Sequence, residues 1–527
     1  MSSARRSPHD AERTALWDET FPRRDWSTTP LEAAYDVVVV GAGIVGLSTA
    51  IELARRGCSV AVIEARHVGA GASGRTTAKT SLLQGTRLSR LVSQHGAELA
   101  GQYLAGNRAG QDWVRRWASE LGVGFQERTA ITFAPARDDL DAITEELEAC
   151  ERLGLPVRSR STGDEPFPLV GAVELDGQLQ LDPRELLEAL AAKAAGDGVS
   201  IRTGVRVTDV HGDGDTVETD AGPVRAPHVV LATASPVSDR GGFFARLEPE
   251  RSYLTSYSGG GPFPQGMYLS AGSPSRSLRT VPTADGEVLL VGGNNHVVGR
   301  SDSEANEAQD LVDWTLRHFP GAAPRHRWSA QDFHTFDGLP HVGPLTPTAE
   351  RVLVATGFAK WGMTNGPAAA QLLAALVTGE DAPSWGQAFR SWSSHELAGT
   401  GEALRTNASV AATLVRDRLA IAGGADDEAP PLEGSGVVVR DGMTALATST
   451  VDGATCTVRA ACTHLGGIVR WNDLERSWDC PLHGSRFAPD GTVLEGPADS
   501  PLEVASSPYS RDRAGLDGDE RETDASS

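Results

Sequence analysis

The segment Tyr35-Asp-Val-Val-Val-Val-Gly41-Ala-Gly43-Ile44-Val-Gly46, followed by Val-Ala-Val-Ile-Glu64, constrains the fold of this chain more than any other. Val37 to Val40 is a short, unbroken apolar run, as expected of a strand covered on both faces of a parallel sheet. Gly41 allows a tight turn, Gly43 lets the backbone approach a pyrophosphate, and Gly46 lets the next helix pack closely on the strand. That helix is expected to run to about Arg56, with Gly57 as its stop. Its N-terminus would face the pyrophosphate, where free N–H groups and the dipole favour an anion. A second apolar strand, Ser59 to Ile63, ends at Glu64, 21 residues after Gly43, where a carboxylate can accept hydrogen bonds from a ribose. A packing cluster of glycines without a nucleotide would leave most of this frame unexplained.

The second constraint lies near the other end. Cys462-Thr-His464-Leu-Gly-Gly and Cys480-Pro-Leu-His483-Gly-Ser are separated by the stretch 465–479. Two thiolates and two imidazoles on two glycine-bearing loops can hold two irons asymmetrically, sulfurs on one and nitrogens on the other. Structural zinc sites use the same residue types, but usually pair Cys with Cys and His with His. Here each box holds one of each. Both boxes, with the Gly and Pro around them, resemble the Rieske [2Fe–2S] family. In high-potential members a disulfide clamps the two loops. The matching positions are Gly467 and Leu482 here, and Phe487 stands where those members use a Tyr hydroxyl. Ser485 remains as a donor toward a cluster sulfur. Fewer donors imply a midpoint in the lower part of the ~−150 to +300 mV Rieske range.

Between these two motifs, Gly69-Ala-Gly-Ala-Ser73-Gly74-Arg75-Thr76-Thr77-Ala78-Lys79-Thr80 is rich in glycine and hydroxyls. It resembles the second flavin-contact segment of the D-amino-acid oxidase/glycine oxidase superfamily, which implies FAD rather than NAD. Val-Val-Leu-Ala232-Thr233-Ala234 resembles the family's strand-end contact, departing from the commoner Ala-Thr-Gly at Ala234. Arg327 to Gly343 resembles the stretch before the last flavin contact. Gly357-Phe-Ala-Lys360-Trp361-Gly362-Met363-Thr364-Asn365-Gly-Pro367 resembles that contact itself. The implied FAD contacts are Gly41, Gly43, Ile44, Gly46, Glu64, Ala65, Arg66, Ser73, Gly74, Arg75, Thr76, Thr77, Lys79, Val207, Ala232, Thr233, Gly357, Trp361, Gly362, Met363 and Thr364. The implied cluster ligands are Cys462, His464, Cys480 and His483.

The chain has 527 residues, enough for about three domains. The expected fold is α/β plus all-β, a Rossmann-like FAD-binding domain interleaved with an α+β substrate domain, then a small antiparallel β Rieske domain. Its expected parts are an arm (1–34, anchored by Trp17, Phe21 and Trp26), the FAD-dependent unit (35–400), a helix and linker (401–431), the Rieske domain (432–509) and a disordered acidic tail (510–527). Within 35–400, the FAD-binding parts are expected at about 35–85, 199–240 and 335–380, and the substrate parts at about 86–198 and 241–334. From about 86 to 200 the pattern is helical, with Leu140–Leu153 and Pro183–Ala195 showing i, i+3, i+4 spacing. Val199–Val207 and Gly222–Ala234 are expected strands, 240–335 a mostly antiparallel sheet roofing the flavin, and Ala398–Leu419 a last helix.

A net charge of −22 argues against nucleic acid or an anionic membrane as partner. No run of about 18 apolar residues is present, so no membrane span is expected. Arg5-Arg6 is followed by a polar stretch that cannot serve as an export signal's apolar region. Two of five Cys are ligand candidates, and Cys58, Cys150 and Cys456 show no disulfide framework. A cytoplasmic protein is expected.

The combined resemblance implies an enzyme that takes a hydride from a small amine or amino acid onto FAD. Electrons would pass singly to the Rieske centre and on to a ferredoxin-like or quinone acceptor. Two other readings stay open: electrons entering through the Rieske domain from a reductase, or a redox sensor or adaptor without turnover. No catalytic base is evident. Lys360, Arg251, Tyr253, Tyr257, Arg279 and His296 are candidates to orient a substrate or tune the flavin, and each is equally suited to packing or surface pairing.

Overall fold

The computed structural model describes residues 12–212, 214–420, 429–442 and 444–509. The expected tail and most of the expected linker lie outside them. The chain divides into two compact units, Met1–Asn407 and Ala408–Ser527.

In the first unit, six strands form one sheet in the order 341–344, 352–356, 228–231, 37–40, 60–64, 200–203. All neighbours are parallel except the first pair. Val37 and Val39 point into one apolar core and Val38 and Val40 into another. Both faces are therefore buried, which is why the run does not alternate in polarity. Each valine so buried contributes about 1.5–3 kcal/mol relative to exposure. The first helix, Ile44–Ala54, ends at Arg55 and the chain reverses through Gly57 at φ +83.

A second, nine-stranded sheet carries the long strands Leu247–Ser258, Gly286–Val297 and Ala323–Thr335. It also takes in Phe125–Ala134 and Gly171–Leu181, from a region expected to be helical. These two strands bury Thr132, Glu174, Gln178 and Gln180, so apolar alternation is hidden. The helices there are Arg87–Leu121, broken at Gly96 (φ 81), Leu140–Arg152 and Pro183–Gly196. Asp182 caps the last, accepting from the N–H groups of Arg184 (2.8 Å) and Glu185 (3.3 Å). Helix Glu304–His318, not anticipated, is capped by Ser303 and packs on the sheet.

Two expected strands are broken. Val199–Val207 becomes Ser200–Thr203, a turn at Gly204 (φ +72), and a new strand, Val207–His211, in a separate three-stranded sheet. Gly222–Ala234 becomes Val224–Arg225 and His228–Leu231, with Pro227, which lacks an N–H, between them. The arm is docked: Trp17 is fully buried with Leu254, Leu290 and Trp328, and Glu12 bridges His326. Phe21 and Trp26 are only half-buried.

In the second unit, strands 436–441, 444–451 and 454–459 form one antiparallel sheet, and 470–472, 477–479, 486–487 and 493–495 another. Val410 and Leu414, from helix Thr400–Ala420, pack against this unit's core. Arg470 donates to both oxygens of Asp417 at 2.9 Å.

Candidate functional site

At the first glycine turn, a Cβ on Gly41 (φ +105) would lie 2.7 Å from the Ala232 carbonyl oxygen. One on Gly46 would lie 1.9 Å from the Gly41 oxygen, and one on Gly74 2.1 Å from that of Gly69. Only hydrogen fits at these positions, so the turn at Gly41 meets the distant Ala232 backbone to backbone, and the turns 41–46 and 69–74 each close on their own backbone. Ser73 Oγ accepts from the Ile44 N–H at 3.1 Å. Glu64 accepts from Ala42 (3.0 Å) and Arg66 (2.9 Å) N–H groups, and the Arg66 carbonyl accepts from Gly204. Ala65 follows Glu64, half-buried. Thr233 donates to the Ser235 carbonyl at 2.7 Å. Val207 instead lies in the core behind the sheet.

Helix Gly362–Thr378 starts beside the first helix: a Cβ on Gly366 would sit 3.1 Å from Ile44 Cγ2. Neither helix has a side-chain cap or an acidic residue in its first turn. Two bare, partly positive helix ends therefore converge, as an electron-rich ligand requires. Thr364 donates to Asn107 Oδ1 (2.5 Å) and Met363 is buried, while Trp361 stands at the N-cap position without a side-chain bond and Gly362 has open space around it. Gly357 (φ +76) abuts Thr335. Four of the eight non-glycine residues with positive φ among the described residues lie in these same segments: Ala78 (51), Ala234 (65), Ala359 (49) and Lys360 (74). Such strain clusters at ligand sites. It also explains why the resembling family has glycine at position 234.

The orienting candidates divide between the two faces of the large sheet. Arg251, Tyr253 and Tyr257 share the face that packs on helix Glu304–His318. Tyr253 Oη bonds His296 Nε2 at 2.7 Å, and Arg251 donates to Ser329 and Gln331. Tyr257 lies beside Thr255 and Thr315, with burial pushing its phenol up to about 12. The opposite face carries Arg279, Glu250, Asp332 and His334. Arg279 is spent on the carbonyls of Thr77, Ala78 and Leu181, and burial lowers it to about 9. Lys79, fully buried, donates to the Tyr268 carbonyl (2.6 Å) and Ser277 (2.7 Å); burial, then Arg279, pulls its pKa well down. Lys360 pairs with Glu250 at 3.0 Å, and its N–H is held by Asp332. Glu250 also meets His334 at 3.1 Å; against the cost of burial, His334 and Lys360 hold it far below the usual carboxylate range. Sequence reasoning missed Glu250, Asp332 and His334, whose signal was the charged alternation 248/250 and 332/334.

In the second unit, the two ligand boxes fold alike. Cys462 N–H donates to Gly467 O (2.7 Å) and Gly466 N–H back to Cys462 O (2.9 Å). Cys480 N–H donates to Ser485 O (2.8 Å) and Gly484 N–H back to Cys480 O (3.1 Å). Gly466 and Gly484 both take φ near +70 to +80, which closes each loop (φ 70 and 79). Both thiols are buried, His483 nearly so and His464 half-exposed, with the imidazole centroids 5.1 Å apart. The hydrogen bond between the thiols pulls Cys462 down to about 7 and pushes Cys480 up. A Cβ on Gly467 would fall 2.6 Å from Leu482 Cδ1 and 3.0 Å from Cys480 Sγ, so Leu482 packs where a disulfide would cross. All five Cys are free. Ser485 Oγ accepts from Ala498 N–H (3.0 Å), its hydroxyl beside Cys462. Among the described residues no three such ligands converge on a single ion. A two-iron cluster asks only for a pair on each iron. Behind the loops, buried Arg486 faces Asp479 (3.1 Å), Glu495 (3.5 Å) and Glu475 (3.6 Å).

Comparison with known proteins follows this division. The family model of FAD dependent oxidoreductases matches residues 36–376, and that of the Rieske [2Fe-2S] domain matches 425–506. A Rieske 2Fe-2S iron-sulfur protein of Bacillus subtilis (strain 168), YhfW, is 32% identical over 89% of this chain and 92% of its own. Glycine oxidase of Geobacillus kaustophilus (strain HTA426) is 27% identical over 65% of this chain and 93% of its own. The crystal structure of glycine oxidase from Geobacillus kaustophilus superposes with a TM-score of 0.57 at 24% identity, covering 66% of this chain and 96% of that one. The chain thus belongs to the FAD dependent oxidoreductases, an enzyme that binds FAD and carries a [2Fe–2S] cluster in a Rieske domain following its flavin domain.

Proposed function

We propose that this oxidoreductase oxidises a small amine or amino-acid-like substrate and releases the electrons through its Rieske cluster to an external acceptor, ferredoxin-like or quinone. The observation that carries this reading is the joining of a flavin domain resembling glycine oxidase to a one-electron centre in one chain. When bound, FAD supplies two-electron oxidation with one-electron release, and the cluster carries single electrons.

The residues proposed to hold FAD are the glycine turn (Gly41, Gly43, Ile44, Gly46), Glu64 to Arg66, the 73–79 loop, Ala232 and Thr233, and Gly357 with Trp361 to Thr364. The Gly362–Thr378 helix end favours negative charge beside it. Cys462 and Cys480 would bind one iron, His464 and His483 the other. Arg251 and Arg279 are committed to protein acceptors, and Glu250 to Lys360 and His334. Free thiols support a reducing, cytoplasmic setting. Among the described residues no helix is long and apolar enough to cross a membrane.

An anaerobic screen of amines, amino acids and hydroxy acids tests this. Bleaching of the flavin absorbance by an amine, followed by the reduced-cluster EPR signal, is expected. No bleaching by any candidate, in protein that dithionite reduces fully, would favour electron entry through the Rieske domain or a sensor.

A further inference from the structure

Four consecutive carbonyls in the Gly-rich loop are held from one side. Trp328 Nε1 donates to Arg75 O at 2.8 Å, and Trp17 Nε1 donates to Thr76 O at 2.9 Å. Arg279 donates to Thr77 O (2.5 Å) and Ala78 O (3.3 Å). In a trans peptide the carbonyl of one residue and the N–H of the next point in opposite directions. Tying the carbonyls of 75, 76 and 77 therefore turns the N–H groups of Thr76, Thr77 and Ala78 the other way. Ala78 N–H is used internally, by Thr76 Oγ1 at 3.1 Å. Those of Thr76 and Thr77 have no partner among the described residues. Adjacent half-buried donors without acceptors form an anion-binding concavity.

One of these clamps comes from outside the family match, which begins at residue 36. Trp17 belongs to the arm, is completely buried, stacks on Arg279 at 5.4 Å, and has its own carbonyl held by Arg184 Nε at 2.9 Å. Phe in its place would keep an aromatic ring in the cluster but lose the N–H together with the packing of the second ring.

We infer that the N-terminal arm is part of the flavin site: Trp17, with Trp328, is a positioning residue that presents the Thr76 and Thr77 amides to FAD. This rests on the proposal that the 73–79 loop contacts FAD.

The test is FAD titration of deflavinated full-length protein, read by flavin fluorescence and visible circular dichroism. Trp17→Phe is expected to weaken FAD binding about tenfold, the scale of one well-made hydrogen bond. Leu16→Ala, which trims the same apolar cluster without touching the loop, is expected to lower thermal stability and leave FAD affinity within about twofold. The inference is overturned if Trp17→Phe binds FAD like the native protein, or if Leu16→Ala weakens FAD equally. Thr77→Pro, which deletes one amide donor, separates the two layers. If it binds FAD normally, the loop reading fails and the inference with it. If it weakens FAD while Trp17→Phe does not, the loop reading stands and the clamp falls. Should Trp17→Phe not fold, Trp328→Phe carries the same expectation and the same overturning result.

Discussion

The cluster loops and the nucleotide turn use their backbone in opposite ways. All four cluster candidates lie within residues 462–483, and each loop closes on itself through two hydrogen bonds spanning four and five residues. The nucleotide turn packs Gly46 on its own Gly41 but depends for the rest on distant segments. Gly41 abuts Ala232, Ile44 is held by Ser73, and its helix leans on Gly366. A centre with covalent metal bonds needs few, rigid, local donors. A long organic cofactor needs many weak donors, gathered from wherever the fold brings backbone close. Damage should accordingly stay local in one and spread in the other.

The largest expected effect is Cys462→Ser. Iron should fall to near zero while FAD content holds, measured by iron assay and flavin absorbance on the same sample. Loss of FAD as well would break the contrast. Next comes Arg486→Ala, which leaves Asp479, Glu475 and Glu495 facing one another. Removing one side of a buried ion pair costs about 3–5 kcal/mol, to be read by urea unfolding followed through the cluster absorbance. In the flavin domain, Gly46→Ala forces a methyl against the Gly41 carbonyl. Overpacking costs about 1–3 kcal/mol, and here FAD occupancy should fall with the melting temperature while iron stays unchanged.

Smaller effects sharpen the electronic side. With Phe487 buried and without a hydroxyl, the cluster midpoint should lie in the lower part of the ~−150 to +300 mV range, and a value above about +200 mV would contradict this. Phe487→Tyr should raise it. The smallest effect is on pH. Burial draws His67 down to about 4, against the hydrogen bond its ring N–H donates to the Val68 carbonyl. Between about 6.5, its unfolded value, and that pKa the unfolded chain binds the extra proton. Its contribution to stability is therefore full above about 6.5 and lost as pH falls through about 4. His67→Gln should flatten the acid limb of a thermal-melt profile over that window.

Much of both sites was legible because their signals are local. Gly41, Gly43 and Gly46 in a strand–turn–helix frame, and Cys-x-His with Cys-x-x-His, state their chemistry within a few residues. The kinship with FAD dependent oxidoreductases and the Rieske domain followed from such segments. Strands 125–134 and 171–181 were hidden because hydrogen bonds from Gln111 on helix Arg87–Leu121 and to the Thr280 carbonyl on another strand allow Gln178 and Gln180 to be buried. The division of the orienting candidates between two faces has a related reason. Which face of a strand looks at a ligand depends on what packs behind it, and helix Glu304–His318 claimed the side of Arg251, Tyr253 and Tyr257.

By itself, then, the amino-acid order determined which chemistries the chain can host, since turn glycines and soft metal ligands act through covalent structure and short-range geometry. Only the tertiary structure decided that Ala234 occupies a left-handed turn, that Leu482 fills the place of a clamp, and that Trp17 reaches Thr76 across 59 positions of sequence. Those are matters of close approach between distant segments, and close approach is set by packing.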